Sequence, residues 1–351
     1  MPEHAPKLSV LDLAVVADDS SPGAALRNSI ELARTAERLG FHRHWVAEHH
    51  NMPGIASSAP AVLAATLAAE TETMRIGSGG VMLPNHAPLV VAEQFGMLEA
   101  LHPGRIDLGI GRAPGTDQFT AAALRRSASA LSDEDFPRAL GELIGFFTGA
   151  FTDGHPYARI TAVPGLGDVP SIWLLGSSGY SAQLAGMLGL PFSFAHHFSA
   201  RNTLPALELY RSHFRPSETL DRPHAMVAVA VIAAADDETA RWLAGPSRLS
   251  MARLRAGMPG RFPSPEEAAA HEWTPAEEQS IGSFSGSAVI GGPETVRERL
   301  AALTEQTAAD ELMITTMVHD HSDRIRSYEL VAELYGLAAT RPAPRAAASG
   351  G

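Results

Sequence analysis

Four short clusters in this chain carry side chains that could move protons, hold an anion or seat a flat ligand. The first is Glu48-His49-His50-Asn51, directly after the apolar Trp45-Val46-Ala47. An imidazole at such a place can transfer a proton near neutral pH or donate a hydrogen bond to an oxyanion. Side chains alternate along an extended chain, so His49 is expected to point away from Glu48 and His50, and only one set can face a pocket. Histidines that merely end a strand are an equally open reading. The second cluster is Gly77-Ser78-Gly79-Gly80-Val81-Met82-Leu83-Pro84-Asn85-His86. Adjacent glycines put no Cβ in the way of a flat ligand, and Met82 and Leu83 are expected to pack on its face.

The third cluster is Arg112 together with Arg138, whose guanidinium groups offer paired donors suited to a phosphate. Each alone reads as a surface residue. The fourth, Gly176-Ser177-Ser178-Gly179-Tyr180-Ser181, precedes a helix expected to begin near Ser181. Free backbone N–H groups, the helix dipole and serine hydroxyls there form a plausible phosphate cradle, although ordinary capping explains the serines equally well. Two further places hold histidines. His319-Asp320-His321 has the spacing of a two-imidazole metal site but falls where a helix should start, and the metal reading ranks below the others. His196 and His197, at a strand end, could face the pocket, but each reads first as a packed strand-end residue.

These groups act together only if separate elements bring them to one place. Eight short apolar runs alternate with segments of helical period: Leu8 to Val15, Arg43 to Ala47, Arg75 to Leu83, Ile106 to Gly111, Ser171 to Leu175, Phe192 to Ala195, Met226 to Ala233 and Leu312 to Val318. That alternation predicts a parallel α/β sheet, and eight strands suggest a closed (β/α)8 TIM barrel with chemistry at the C-terminal strand ends, where all four clusters lie. Two stretches, Gly149 to Pro170 and Gly257 to Gly292, are too long for plain connections and are expected as insertions over the C-terminal face. Gly291-Gly292-Pro293-Glu294 reads as a loop entering a helix. Residues 1–338 are expected to form one barrel domain, followed by a disordered tail, Ala339 to Gly351.

Composition narrows the functional classes. A formal net charge of −12 without a Lys/Arg-rich run argues against sequence-independent nucleic-acid binding. No apolar run approaches a membrane span, the N-terminus lacks the layout of a signal peptide, and cysteine is absent, so a soluble cytoplasmic protein is expected. A dinucleotide fold is disfavoured because Pro114 stands where the third glycine of Gly109-Ile110-Gly111-Arg112-Ala113-Pro114-Gly115 would be needed.

Taken together and in this order, the clusters resemble the luciferase-like flavin-dependent monooxygenases. The resemblance runs from Leu8 to Tyr335 and rests on Trp45-Val46-Ala47-Glu48-His49-His50-Asn51-Met52-Pro53-Gly54, Gly79-Gly80-Val81-Met82-Leu83-Pro84-Asn85-His86 and Pro103-Gly104-Arg105-Ile106-Asp107-Leu108-Gly109. These look like a bacterial branch related to oxygenases of aromatic polyketide biosynthesis. The resemblance implies an enzyme that uses reduced FMN, supplied by a separate NAD(P)H:flavin reductase, and O2 to oxidise a small organic substrate through a flavin C4a-hydroperoxide. It further implies a homodimer formed through the early helices. His49 matches the family's catalytic histidine, Gly79 and Gly80 its cis peptide beneath the flavin ring, and Arg112, Arg138, Gly176, Ser177 and Tyr180 the residues holding the FMN phosphate. Gly111 stands where luciferase has a reactive cysteine and Gly176 where it has an acidic residue, so light emission and long-chain aldehydes are not implied. An F420-dependent oxidoreductase and a non-catalytic flavin-binding protein are the alternatives on the same barrel. A metal hydrolase is the alternative outside flavin chemistry.

Overall fold

The computed structural model describes residues 5–125, 135–152 and 154–338, so the expected tail lies outside the described residues. Nine strands form: β1 (Lys7–Asp12), β2 (Arg43–Val46), β3 (Arg75–Met82), β4 (Ile106–Gly111), β5 (Ser171–Gly176), β6 (Phe192–Ala195), β7 (Ala225–Ala233), β8 (Val289–Gly291) and β9 (Glu311–Thr315). All their pairings are parallel. Consecutive strands pair from β1 to β7, β9 joins β7 to β1, and the eight close into a barrel. The eight predicted runs correspond to β1–β7 and β9. Strand β8 was expected as loop; three residues are too few to show a period. It forms because the C-terminal end of β7 offers an open edge, pairing Val231 with Val289 and Ala233 with Gly291.

Strand period two sorts the side chains into two cores. Outward residues such as Leu8, Val10, Ile76, Leu108 and Ile110 join Leu32, Phe95 and Leu143 of the surrounding helices. Inward residues Leu11, Trp45, Trp173, Met226 and Met313 fill the barrel's middle, with Trp45 and Trp173 edge to face at 5.2 Å. Below them lies a charged floor. Arg43 bonds Asp107 at 2.6 Å and Glu311 at 2.7 Å, stacks 4.7 Å over Trp173, and Arg75 reaches Asp107 at 2.6 Å. Burial raises the Glu311 carboxyl, but the Arg43 guanidinium and the His224 contact outweigh it and hold it at about 2. The lower barrel is therefore closed by this network.

Helix boundaries follow local chemistry. Pro22–Leu39 starts after Ser21, whose hydroxyl accepts the Ala24 N–H, and stops at Gly40 in the left-handed region. Pro88 opens the helix Pro88–Leu101, its fixed φ suiting a first-turn position. Residues 257–292 hold two helices, Pro265–Ala270 and Pro275–Ser287, the latter begun by a reciprocal cap between Thr274 and Glu277. The described residues of 149–170 pack instead on the outer helices, Phe151 against Phe146 and Gly167 N–H on the Phe147 carbonyl, and none of them lines the cavity described next.

Candidate active site

A cavity of about 820 Å³ opens at the C-terminal end of the barrel, within the range that holds cofactor-sized ligands. Its base is Leu11, Trp45, Gly79 and Met313. Its wall carries small inward residues at the strand tops, among them Ala47, Gly111, Ala195 and Ala230. The second insertion forms part of the roof. Phe262 N–H donates to the Val16 carbonyl and accepts from Asp18 N–H through its own carbonyl, both at 2.9 Å, which ties the insertion to the loop after β1.

The floor contains the Gly79-Gly80 pair, whose peptide bond is cis. The register between β3 and β4 slips there, so Gly80 has no partner between Gly79 opposite Gly109 and Val81 opposite Ile110. A Cβ on Gly79 would lie 2.8 Å from Leu11 Cδ1 and 3.1 Å from Trp45 Cε3; one on Gly80 would lie 2.4 Å from Leu175 Cδ1. Only glycine leaves this surface flat. Met82 lines the cavity, whereas Leu83 is buried in the outer core and cannot reach a ligand.

Strand β2 ends at Val46, and strict alternation fails beyond it. Asn51 adopts a left-handed backbone, and both His49 and His50 line the cavity while Glu48 turns beneath them. The Glu48 carboxylate is fully buried and accepts four groups: Met82 N–H at 2.9 Å, Asn85 Nδ2 at 3.1 Å, His86 Nε2 at 2.9 Å and His50 Nε2 at 2.9 Å. Burial raises its pKa, but His86, then His50 and the Met82 N–H, overcome that and leave it below the usual value. Glu48 therefore organises the rim made by the loops after β2 and β3. In the sequence it was visible only as a neighbour of His49; its acceptor role depends on Met82, Asn85 and His86 arriving from another strand.

His49 Nδ1 lies 3.4 Å from the Gly115 carbonyl, which makes Nδ1 the protonated nitrogen and leaves Nε2 free. Burial lowers its pKa more than this bond and Glu48 raise it, so the ring is neutral near pH 7. A second imidazole, His197, also lines the cavity. It donates from Nδ1 to the Ala228 carbonyl at 3.0 Å, and burial pushes it down to about 4. Sequence reasoning favoured packing over a place in the pocket for it. Its neighbour His196 does turn away, to Thr203 Oγ1 at 2.8 Å.

The helix after β5 spans Gly179–Leu188 and starts two residues earlier than expected. Ser178 precedes it with extended backbone and its hydroxyl caps no helix N–H, so the first-turn N–H groups have no intrahelical acceptor. Gly176, Ser177, Ser178 and Ser181 line the cavity here, and the Arg112 guanidinium lies 4.7 Å from the Tyr180 ring centroid. Arg112 and this helix start thus meet at one end of the cavity. Arg138 does not join them. It is two-thirds exposed and bound to Asp135 at 2.8 Å and Glu142 at 3.6 Å, because its helix turns that face to solvent. Gly80 and Tyr180 stand behind cavity-lining residues and shape the cavity indirectly.

The His319-Asp320-His321 run is split. His319 Nε2 meets Asp18 at 2.8 Å, Asp320 caps the helix His321–Tyr335, and His321 lies 3.6 Å from Glu31. Among the described residues, the group with metal-ligand spacing is Asp18, Asp19 and His319, with both carboxylates exposed, and not the two histidines.

An eight-stranded barrel whose cavity joins a flat glycine floor, a neutral histidine and a helix start with uncapped N–H groups defines the class. The luciferase-like monooxygenase family matches residues 7–311, and the chain belongs to that family. A luciferase-like monooxygenase of Escherichia coli strain K12 is 47% identical over 326 residues, 93% of this chain and 96% of that protein. The N-acetyl-S-alkylcysteine monooxygenase of Bacillus subtilis strain 168 is 35% identical over 329 residues, 93% and 97% of the two chains. Among solved structures, apo-MsnO8 superposes with a TM-score of 0.87 at 39% identity, covering 97% of this chain and 100% of that one. The oxygenating constituent of 3,6-diketocamphane monooxygenase from Pseudomonas putida, solved with FMN, shares the fold at 19% identity and a TM-score of 0.70, over 97% and 100% of the chains. The protein is a monooxygenase. No helix among the described residues is long and apolar enough to cross a membrane.

Proposed function

We propose that the chain is an FMN-dependent monooxygenase that binds reduced FMN and O2 and oxidises a small organic substrate. The observation that carries this reading is the joining, in one cavity, of the Gly79-Gly80 floor, the neutral His49 and the cradle of Ser177, Ser178 and Arg112. The donor set fits the cofactor's chemistry. Free helix N–H groups, hydroxyls and a guanidinium suit a phosphate monoester, and a surface without Cβ atoms suits a flat ring. When bound, reduced FMN with O2 would supply the oxidising equivalent.

The chain's own residues would do the rest. Gly176, Ser177, Arg112 and, through Arg112, Tyr180 fix the phosphate end; Arg138 would take part only if its surface pairs broke. Gly79 and Gly80 set the level of the ring, and Met82 flanks it. His49, neutral and with Nε2 free, accepts or returns one proton at the reacting centre. Trp45, Leu11, Met313 and the roof residue Phe262 exclude water. An external NAD(P)H:flavin reductase supplies the reduced cofactor in this reading. A homodimer forms over Val62, Val90, Met97 and Leu101, all exposed on the helices Pro60–Ala69 and Pro88–Leu101. A cytoplasmic location accords with reductase-supplied FMN.

The test is to mix the protein and photoreduced FMN with oxygenated buffer and follow the absorbance, with riboflavin and F420 titrated in parallel. Expected are preferential FMN binding and a transient distinct from oxidised and reduced flavin that outlasts free-flavin reoxidation. Reoxidation at the free-flavin rate, or preference for F420, would overturn the reading. His49→Ala should bind FMN within about twofold of wild type yet form product about 10²-fold more slowly or worse. Full turnover in that variant would remove His49 from the mechanism.

A further inference from the structure

The roof of the cavity holds a cation that the flavin reading does not use. Arg248 lies on the helix Asp237–Arg255, which follows β7 and whose inner face lines the cavity through Ser247, Arg248 and Met251. Its guanidinium stacks 4.8 Å over the Trp273 ring, and its Nε is buried with no hydrogen-bond acceptor. The two other arginines of this wall are committed. Arg253 bonds Glu267, and Arg261 donates to the carbonyls of Asp18 and Ser20.

A buried donor without an acceptor is costly, and an arginine fork held over an indole face is restricted in its motion and suits a planar two-oxygen acceptor. Arg248 stands at a different place on the ring from the phosphate end, two strands on from β5 and three from β4. Arg112 and Ser177 follow β4 and β5, whereas Arg248 follows β7, and its neighbour Ser247 donates to the Met317 carbonyl beyond β9. The lining also carries the apolar Ile55, Phe198, Ile232, Met251 and Met317, with the neutral His197 after β6. A ligand phosphate and a second anion can therefore occupy the cavity without competing for one cation.

We propose that Arg248 is a specificity-determining residue that binds the carboxylate of the substrate, so that the enzyme acts on small organic acids with an apolar body. The apolar part lies along the methionines, toward His49 and the glycine floor. This rests on the monooxygenase reading for the reaction, but the recognition itself is independent of the cofactor.

The test separates the two. Isothermal titration of the flavin-free protein is run with three acids, N-acetyl-S-methylcysteine, hexanoate and phenylacetate, each beside its neutral primary amide. Wild type should bind at least one acid about tenfold or more tightly than its amide, the span of one charge-assisted hydrogen bond. Arg248→Met should reduce that preference to within about twofold, while Arg248→Lys, which keeps charge but loses the fork, should fall between. FMN affinity and melting temperature should stay at wild-type values in both variants. If no acid is preferred over its amide, or if the preference survives in Arg248→Met, the proposal fails. Loss of FMN binding in wild type would instead refute the flavin reading and leave the acid preference to be judged by itself. Should Arg248→Met not fold, the acid-to-amide ratio in Arg248→Lys decides: an unchanged ratio overturns the assignment.

Discussion

Glu48→Gln is the substitution that most directly probes how the rim of the cavity is held. The glutamine keeps the shape of the side chain but replaces one acceptor oxygen with an amide that can only donate. Glu48 is surrounded by donors from Met82, Asn85, His86 and His50, so at least two pairings are lost, one of them facing N–H to N–H in a buried place. At about 1–3 kcal/mol per lost pairing, two lost pairings cost about 2–6 kcal/mol. The unfolding entropy scales at about 2.1 cal/mol/K per residue, roughly 0.7 kcal/mol/K for this length, which converts the loss to about 3–8 °C in melting temperature. The pH dependence sharpens the test. The folded carboxyl titrates below its ordinary value, so its contribution is present at neutral pH and disappears as pH falls through that depressed value. Scanning calorimetry of wild type and variant from pH 7 to pH 3 should therefore show the gap at pH 7 and a narrowing gap in acid. A variant melting within 1 °C of wild type at pH 7 would refute the role given to Glu48.

Two further outcomes follow from the same geometry. Gly79→Ala places a methyl group 2.8 Å from Leu11 Cδ1, an overpacking worth about 1–3 kcal/mol, and it raises the floor of the cavity; FMN affinity by fluorescence quenching should fall at least about tenfold, and unchanged affinity would count against a ring on that surface. His197 is neutral in the fold down to about pH 4, whereas an unfolded imidazole titrates near 6.5. From about pH 6.5 to pH 4 only the unfolded state gains that proton, so stability falls as pH drops, by about 3 kcal/mol in all. Urea unfolding of His197→Gln over this window should show a slope shallower by about one proton, and an identical slope would contradict the burial.

What the sequence discloses here depends on whether neighbours along the chain are neighbours in space. The barrel strands were legible because each buries both faces or alternates with period two, and Gly40, Pro88 and Asp320 mark helix ends through purely local chemistry. The glycine pair and the small-residue run before the helix Gly179–Leu188 were legible for the same reason, since their character lies in small or absent side chains, although the helix start itself was placed two residues late. Arg138 was not. Its helix position is evident from the sequence, but which face meets solvent depends on how that helix packs, and the face bearing Arg138 looks outward. Glu48, His197 and Arg248 form the opposite case. Each owes its role to groups far away in sequence, namely Met82 and His86, the Ala228 carbonyl, and Trp273 on an insertion that residue composition marked only as long.

The cavity itself comes from residue size more than from loop placement. Inward positions at the floor carry Arg43, Asp107 and Glu311, which are too costly to leave unpaired and so close the bottom among themselves. The next inward layer carries Trp45, Trp173, Met226 and Met313, which fill the width of an eight-stranded barrel. One step higher, the inward positions hold Ala47, Gly111, Ala195, Ala228 and Ala230, and these cannot meet across the axis. The space they leave is apolar and walled by the rigid sheet, while the loops beyond it contribute the polar groups: His49 and Glu48 after β2, Arg112 after β4, Ser177 after β5 and Arg248 after β7. Chemistry can vary among such barrels by exchanging loop residues alone, because none of those exchanges disturbs the layers that create the space.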